Sequence, residues 1–221
     1  MYIIIGSPKT IQDLNGLTNL NIGEMRKKTR IAIIDDEPFA KRNILASHDY
    51  QIKEIGDLKD INAVSDYPII LCDIKGVGLH FASKYEGGHL IEEINKFYPN
   101  KVIIAYTGER FDPTFNRFFQ IADRSIKKDA DNDDWENVLD DSLRIANDPI
   151  EQWKKIRWRL LESDMSMRNL IKLEDLFARS ILEKEDLISN NKMVKSLAED
   201  ARSILLNLAA SFIYSFITGR Q

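Results

Sequence analysis

The sequence predicts an α/β fold: a doubly wound parallel five-stranded sheet followed by an all-helical C-terminal region. Three observations lead there. The runs 31–34, 69–72 and 102–106 are continuously apolar rather than alternating, as strands buried on both faces are. Between them lie segments with helical spacing of apolar residues, so strand and helix patterns alternate from Arg30 to about Asn147. Beyond Asn147-Asp148-Pro149 no strand pattern recurs.

The elements follow in order. Met1 to Ile5 is strand-like, and a polar Gly- and Asn-containing stretch continues to Arg30, so residues 1–29 form an extension of a strand plus an arm. Residues 30–147 hold the sheet. Gln51–Ile55 is the weaker second strand, nearer an edge, and Ile121–Ile126 is the fifth. Helices are expected over Phe39–Ala46, Leu58–Val64 and Leu90–Phe97. Trp135, Val138, Leu139, Ser142 and Ile145 trace a further one with acids in its first turn. Residues 148–221 begin with a start signal: Asp148 as cap, Pro149 at the first helical position and Glu151 completing a capping box. Ile150, Trp153, Ile156 and Leu160 mark one helix face; Leu170, Leu173, Phe177 and Ile181 mark a second. Leu197, Ala201, Ile204, Leu208 and Phe212 mark a third, with Gly219 as its stop.

Composition narrows the function classes. The chain has 221 residues, 43% hydrophobic and 30% charged, with a net charge of −4, which argues against a generally basic nucleic-acid binder. Its one cysteine, Cys72, excludes an intrachain disulfide and fits a reducing cytoplasm. The histidines His48, His80 and His89 lack metal-ligand spacing. Met1–Ile5 is too short for a signal peptide, and the apolar tract Ile204–Ile217 falls short of the ~20 residues that span a bilayer. A cytoplasmic protein with no membrane span is expected.

The chemistry sits at the strand ends. The first strand runs into Asp35-Asp36-Glu37-Pro38, the third into Asp73, the fourth into Thr107-Gly108 and the fifth into Lys127-Lys128. In a parallel sheet the site lies outside the carboxyl ends of the strands, so three carboxylates, a hydroxyl and an ammonium converge on one crevice. Such a set suits a hard divalent cation beside an aspartate that accepts a phosphoryl group. As plain structure, the same acids could be solvated loop residues or helix caps.

The segments "IAIIDDEP", "IILCD", "VIIAYTG" and "ADRSIKKDAD" stand in an order that resembles the bacterial response-regulator receiver family over residues 30–147. The resemblance implies a receiver, flavodoxin-like fold and a Mg2+ ion held by Asp36, with Asp35 assisting, by Asp73 and by the main-chain carbonyl of Lys75. It implies Asp73 as the phosphoacceptor, Thr107 bonding the phosphate and Lys128 pairing with Asp73. Lys127 competes for that last role, but only Lys128 aligns without a gap. The resemblance implies a histidine kinase or a small-molecule phosphodonor as partner. It implies no enzyme activity beyond self-phosphorylation and autodephosphorylation.

Departures stand beside the matches. Val77 and Phe81 occupy positions where the family usually has proline and glycine, Gly87-Gly88 comes only later, and the loop 74–86 is long. The family's aromatic switch position falls on Ser125, and Asp129 follows the lysine in place of proline. In the tail, residues 149–221 carry 12 Lys+Arg against 10 Asp+Glu, too balanced for a dedicated DNA-binding domain. Trp158 lies off its helix's apolar stripe. Leu205, Leu206, Ile213, Tyr214 and Phe216 widen the last helix's stripe, so docking onto a second copy or a protein effector is expected. The reading is a response regulator relaying the state of Asp73 through its helical region. The alternatives are a phosphorylation-independent interaction module on the same fold and a DNA-binding transcriptional regulator.

Overall fold

The computed structural model describes residues 7–17, 21–108, 113–163 and 165–218. The strand expected at 1–5 and the stop at Gly219 lie outside them. Contacts divide the chain into two compact units, one formed by Leu20–Lys96 with Lys101–Ala146 and the other by the rest.

The first unit is a parallel five-stranded sheet of β1 (Arg30–Ile34), β2 (Gln51–Glu54), β3 (Ile69–Asp73), β4 (Val102–Thr107) and β5 (Arg124–Lys127), in the order β2-β1-β3-β4-β5. β3 is central, and all five of its residues are buried. β2 alternates exposed with half-buried residues and β5 is mostly exposed, as each lies at an edge. Helices α1 (Ile22–Lys28), α2 (Arg42–Ser47), α3 (Glu86–Phe97), α4 (Asn116–Ile121) and α5 (Asn132–Asn147) accompany the strands.

Alternation along the strands sorts the core. Ile31, Ile33, Leu71, Ile104 and Tyr106 pack with Trp135, Leu139 and Leu143 of α5 and with Met25 of α1. The alternate set, Ala32, Ile34, Ile70, Cys72, Ile103 and Ala105, is equally buried, and Cys72 Sγ faces the Gly87 carbonyl of α3. Helix α1 arises in the stretch read as an arm. Asn21 caps it by accepting from Glu24 N at 2.9 Å, and Arg26 clasps Asp140 of α5 through two hydrogen bonds of 2.8 and 2.7 Å. Tyr50 completes this corner by donating to Asp140 at 2.6 Å.

Further elements differ from expectation, and β5 starts only at Arg124 because Ile121 still belongs to α4. Residues Ile61–Val64 form only a 3-10 turn, capped by Asp60, whose carboxylate accepts the Asn62 amide at 2.9 Å. Phe39 precedes α2 rather than starting it: its amide donates to Glu54 and its ring enters the core.

The second unit is helical: α6 (Pro149–Glu162), α7 (Met167–Glu183), α8 (Lys192–Lys195) and α9 (Glu199–Leu208), the last continuing through a π-helical stretch Ala209–Ile213 into α10 (Tyr214–Thr218). Asp148 caps α6 with Pro149 at its start. Its core holds Trp153, Ile156 and Leu160, then Leu170, Leu173, Phe177 and Ile181, then Ile204, Leu205, Leu208 and Phe212. Phe177 stacks on Trp153 at 5.1 Å and neighbours Phe212 at 6.4 Å. The segment Ile11–Leu14 joins this unit: Leu14 is buried in its core, and the amides of Lys9 and Ile11 donate to Asp175 and Glu174 of α7.

Leu206 and Tyr214 are exposed, so the apolar arc of the last helix is narrower than its composition. By length and composition alone Glu199–Thr218 could cross a membrane, although Ala201, Ile204, Leu205, Leu208 and Ile213 of that stretch are buried among the other helices. Trp158 is 72% exposed. Replacing Phe177→Ala removes the ring at the centre of this core and is expected to lower stability by ~3–5 kcal/mol, read from chemical denaturation followed by helical circular dichroism.

Candidate functional site

β1 and β3 pair with Ile34 opposite Cys72, so their carboxyl ends are level. Asp35 and Asp36 follow β1, and Asp73 closes β3. On the other side β4 places Tyr106 opposite Asp73, with Thr107 one residue further, and β5 places Lys127 opposite Thr107. Lys128 thus emerges just past its strand, at the edge where the acids stand. Adjacent parallel strands of near-equal reach are what bring residues so distant in sequence together.

Asp35, Asp36 and Asp73 each offer a carboxylate oxygen, and the three oxygens lie within 4.8 Å of one another. Asp35 and Asp73 are buried, whereas Asp36 is exposed. The Lys128 ammonium lies 3.0 Å from Asp73 Oδ2, 3.1 Å from Asp35 Oδ2 and 3.7 Å from Glu37 Oε2. Lys127 is exposed on β5. The amide of Lys75 donates to Asp73 Oδ1 at 3.1 Å, and that of Glu37 donates to Asp35 Oδ1 at 3.0 Å. Thr107 ends β4 half-buried, and its carbonyl accepts the Lys128 amide at 3.0 Å.

Burial pushes the Asp73 carboxyl above its ordinary range, and the hydrogen bonds from the Lys75 amide and Lys128 only partly offset this. For Lys128 burial pulls the other way, but its hydrogen bonds to Asp73 and Asp35 prevail and raise it, so the ammonium stays charged. One cation thus balances part of the negative charge of three neighbouring acids. The remaining oxygen donors match a hard divalent ion such as Mg2+, which takes carboxylate oxygens and keeps several waters.

Two glycines shape the crevice. Gly76, at φ +77°, lies so close to Asp36 that a Cβ there would stand 2.5 Å from its carboxylate oxygen. Gly87, in the first turn of α3, faces the Asp73 carbonyl with 1.8 Å to any added Cβ, so α3 can start against the end of β3 only without a side chain. The loop 74–86 is tied down by its own amides: Gly76 N donates to Glu86 Oε2 at 2.7 Å, and Gly78 N donates to Asp57.

Sequence reasoning missed Tyr106. Its ring is buried on β4, and its hydroxyl donates to Asp35 Oδ2 at 2.7 Å. The available signal was a tyrosine within an apolar strand next to Thr107, since a buried phenol needs an acceptor. Glu86 and Asp57 were missed as well, because nothing local to either residue announces a loop amide as its partner. Ser125, at the position where the family carries an aromatic, is exposed on β5.

No protein-family model matches the chain, and no curated protein matches it. Among solved structures it is similar to a CheY-like response regulator receiver domain protein from Methanospirillum hungatei, at 22% identity over 54% of this chain and 96% of that one, with a TM-score of 0.44. It is similar also to the response regulator protein TrrA from Thermotoga maritima in complex with Mg2+ and BeF, at 20% identity over 52% of this chain and 98% of that one, with a TM-score of 0.41. A beryllofluoride-activated DrrB receiver domain matches at 17% identity over 53% of this chain and 98% of that one, with a TM-score of 0.44. The strand order decides the fold. It is flavodoxin-like, the order that receiver domains share.

The raised Asp73 carboxyl has a stability consequence. A carboxylate whose folded-state pKa exceeds its unfolded value destabilises the fold while ionised, a penalty present at neutral pH and relieved as pH falls through the folded pKa toward the ordinary value of 3.8. Asp73→Asn is therefore expected to stabilise the metal-free protein by about 0.5–2 kcal/mol at pH 7. The difference should shrink in acid, as followed by denaturant titration at several pH values.

Proposed function

We propose that this chain is a response regulator whose Asp73 accepts a phosphoryl group with the help of Mg2+ and whose helical region passes the modified state to a partner. The observation that carries the reading is the Lys128 ammonium 3.0 Å from Asp73 beside three carboxylate oxygens gathered within 4.8 Å. In this reading residues 30–147 are the receiver and residues 148–221 the output or dimerisation region. Asp36, Asp73 and the Lys75 carbonyl hold the ion, with Asp35 assisting. The ion supplies charge neutralisation for the equatorial phosphoryl oxygens.

The chain's own groups do the rest. An Asp73 carboxylate oxygen forms a bond to phosphorus while the bond from phosphorus to the donor breaks, and the donor leaves with that electron pair. Lys128 is placed to neutralise the charge that builds on the phosphoryl oxygens, and its raised pKa keeps it cationic throughout. The Thr107 hydroxyl, at the end of β4, accepts the role of sensing the new oxygens. The donor is a histidine kinase or a small phosphodonor. The partner of the helical region is a second copy or a protein effector, with nucleic acid disfavoured by the tail's balanced charge.

A phosphorylation-independent interaction module on the same fold is the second reading. The exposed Ser125 favours it, since no buried aromatic on β5 stands ready to report the state of Thr107.

Incubation with Mg2+ and acetyl phosphate or phosphoramidate is expected to add the mass of one phosphoryl group, labile in base. Asp73→Asn should abolish the adduct, and Lys128→Ala should slow its formation by about 10²-fold, the scale seen when one charge-stabilising donor is removed. An unmodified wild type would select the second reading.

A further inference from the structure

Asp35 differs from its neighbours in how fully its carboxylate is engaged. Oδ1 accepts the Glu37 amide at 3.0 Å, and Lys128 lies 3.3 Å from the same oxygen. Oδ2 accepts the Tyr106 hydroxyl at 2.7 Å and faces Lys128 at 3.1 Å. Its side chain is 2% exposed, whereas Asp36 is open to solvent. Of the three donors, the Glu37 amide belongs to the turn itself and Lys128 is shared with Asp73. The Tyr106 hydroxyl is the neutral side-chain donor, delivered from the inner strand β4.

The phenol is held with little freedom. Tyr106 sits in β4 opposite Asp73, and its ring is edge-on to Phe39 at 5.9 Å and to Trp135 at 5.7 Å; those two rings also meet edge-on at 5.1 Å. Three interlocked aromatics, from β4, the approach to α2 and α5, leave the hydroxyl a single direction. It aims at Asp35.

We propose that Tyr106 is a positioning residue that holds Asp35 in its assisting place, occupying the lone pair that would otherwise ligate the cation and sparing Lys128 for the phosphoryl group. This deepens the phosphoryl-acceptor reading and rests on it. The physical reasoning is a division of donors. A buried carboxylate short of one hydrogen bond recovers its lost solvation from whatever positive group is near. Without the phenol hydroxyl, Asp35 would draw on the cation and on Lys128 more strongly. Cation affinity should then rise, while binding of a phosphoryl-like group, which needs Lys128 free to turn from Asp35, should fall.

That opposite pair of effects separates positioning from packing. Loss of a merely structural hydroxyl would lower the melting temperature and weaken both ligands together. The test uses the full chain as wild type, Tyr106→Phe, Asp35→Asn and the double variant. Mn2+ binding is measured from the free-ion electron paramagnetic resonance signal, and beryllofluoride binding in saturating Mg2+ is measured by fluorine NMR.

Tyr106→Phe is expected to bind Mn2+ about three- to tenfold tighter and beryllofluoride weaker by a similar factor, modest beside the 10–100-fold typical when an outer partner of a metal ligand is lost. In the Asp35→Asn background the same substitution should change either affinity by less than about twofold, because the two residues act through one contact. Parallel weakening of both ligands, no change in either, or an undiminished effect in the Asp35→Asn background would overturn the proposal. So would a wild type that binds no Mn2+. A wild type that binds Mn2+ but no beryllofluoride overturns the phosphoryl reading alone, and the Mn2+ arm still decides the role of Tyr106.

Discussion

The arrangement depends on one ammonium between two buried carboxylates. Asp35 and Asp73 end adjacent strands and are both largely removed from water, a costly placement for two like charges. Lys128 lies within 3.1 Å of each and makes the placement tolerable. The compensation is incomplete: Asp73 remains harder to ionise than an ordinary aspartate. A group left in that condition gains from any further positive charge brought near it.

The sheet creates this condition by topology. Order β2-β1-β3-β4-β5 sets the carboxyl ends of β1, β3 and β4 side by side, and β5 supplies the lysine from the next position. The core then fixes the reach of each end. Alternating residues of the strands pack under α5 on one face, and the Cys72 face meets α3 through Gly87, whose missing side chain lets the helix start against Asp73 itself. The long loop that follows Asp73 is held by Glu86 and Asp57 on its amides, so the crevice has a bound wall beside Asp73.

Much of this is legible in the chain. Unalternating apolar runs identify the buried parallel strands, and the polar residues that follow the strands mark the edge where Asp35, Asp36, Asp73 and Lys128 meet. The Asp148-Pro149 signal likewise places the start of α6. What escapes has physical reasons. Helices α1 and α4 are short, and their stability comes from contacts such as Arg26 with Asp140, far apart in sequence. The segment near Val64 has helical spacing, but Asp60 caps the turn at Ile61, so Leu58 lies outside it and only one 3-10 turn forms. Tyr106 reads as one more apolar strand residue, since its partner, Asp35, lies 71 positions away. The glycines 87 and 88 read as displaced from their expected place, whereas the close approach they permit is visible only in three dimensions.

The most direct measurement is anomalous diffraction from a crystal of this protein equilibrated with Mn2+. The account predicts a single peak at the carboxyl edge of the sheet, about 2.0–2.2 Å from carboxylate oxygens of Asp36 and Asp73, with the Lys128 ammonium still beside Asp73. A peak elsewhere, or an ordered Mn2+-saturated crystal with no peak between Asp36 and Asp73, would contradict it.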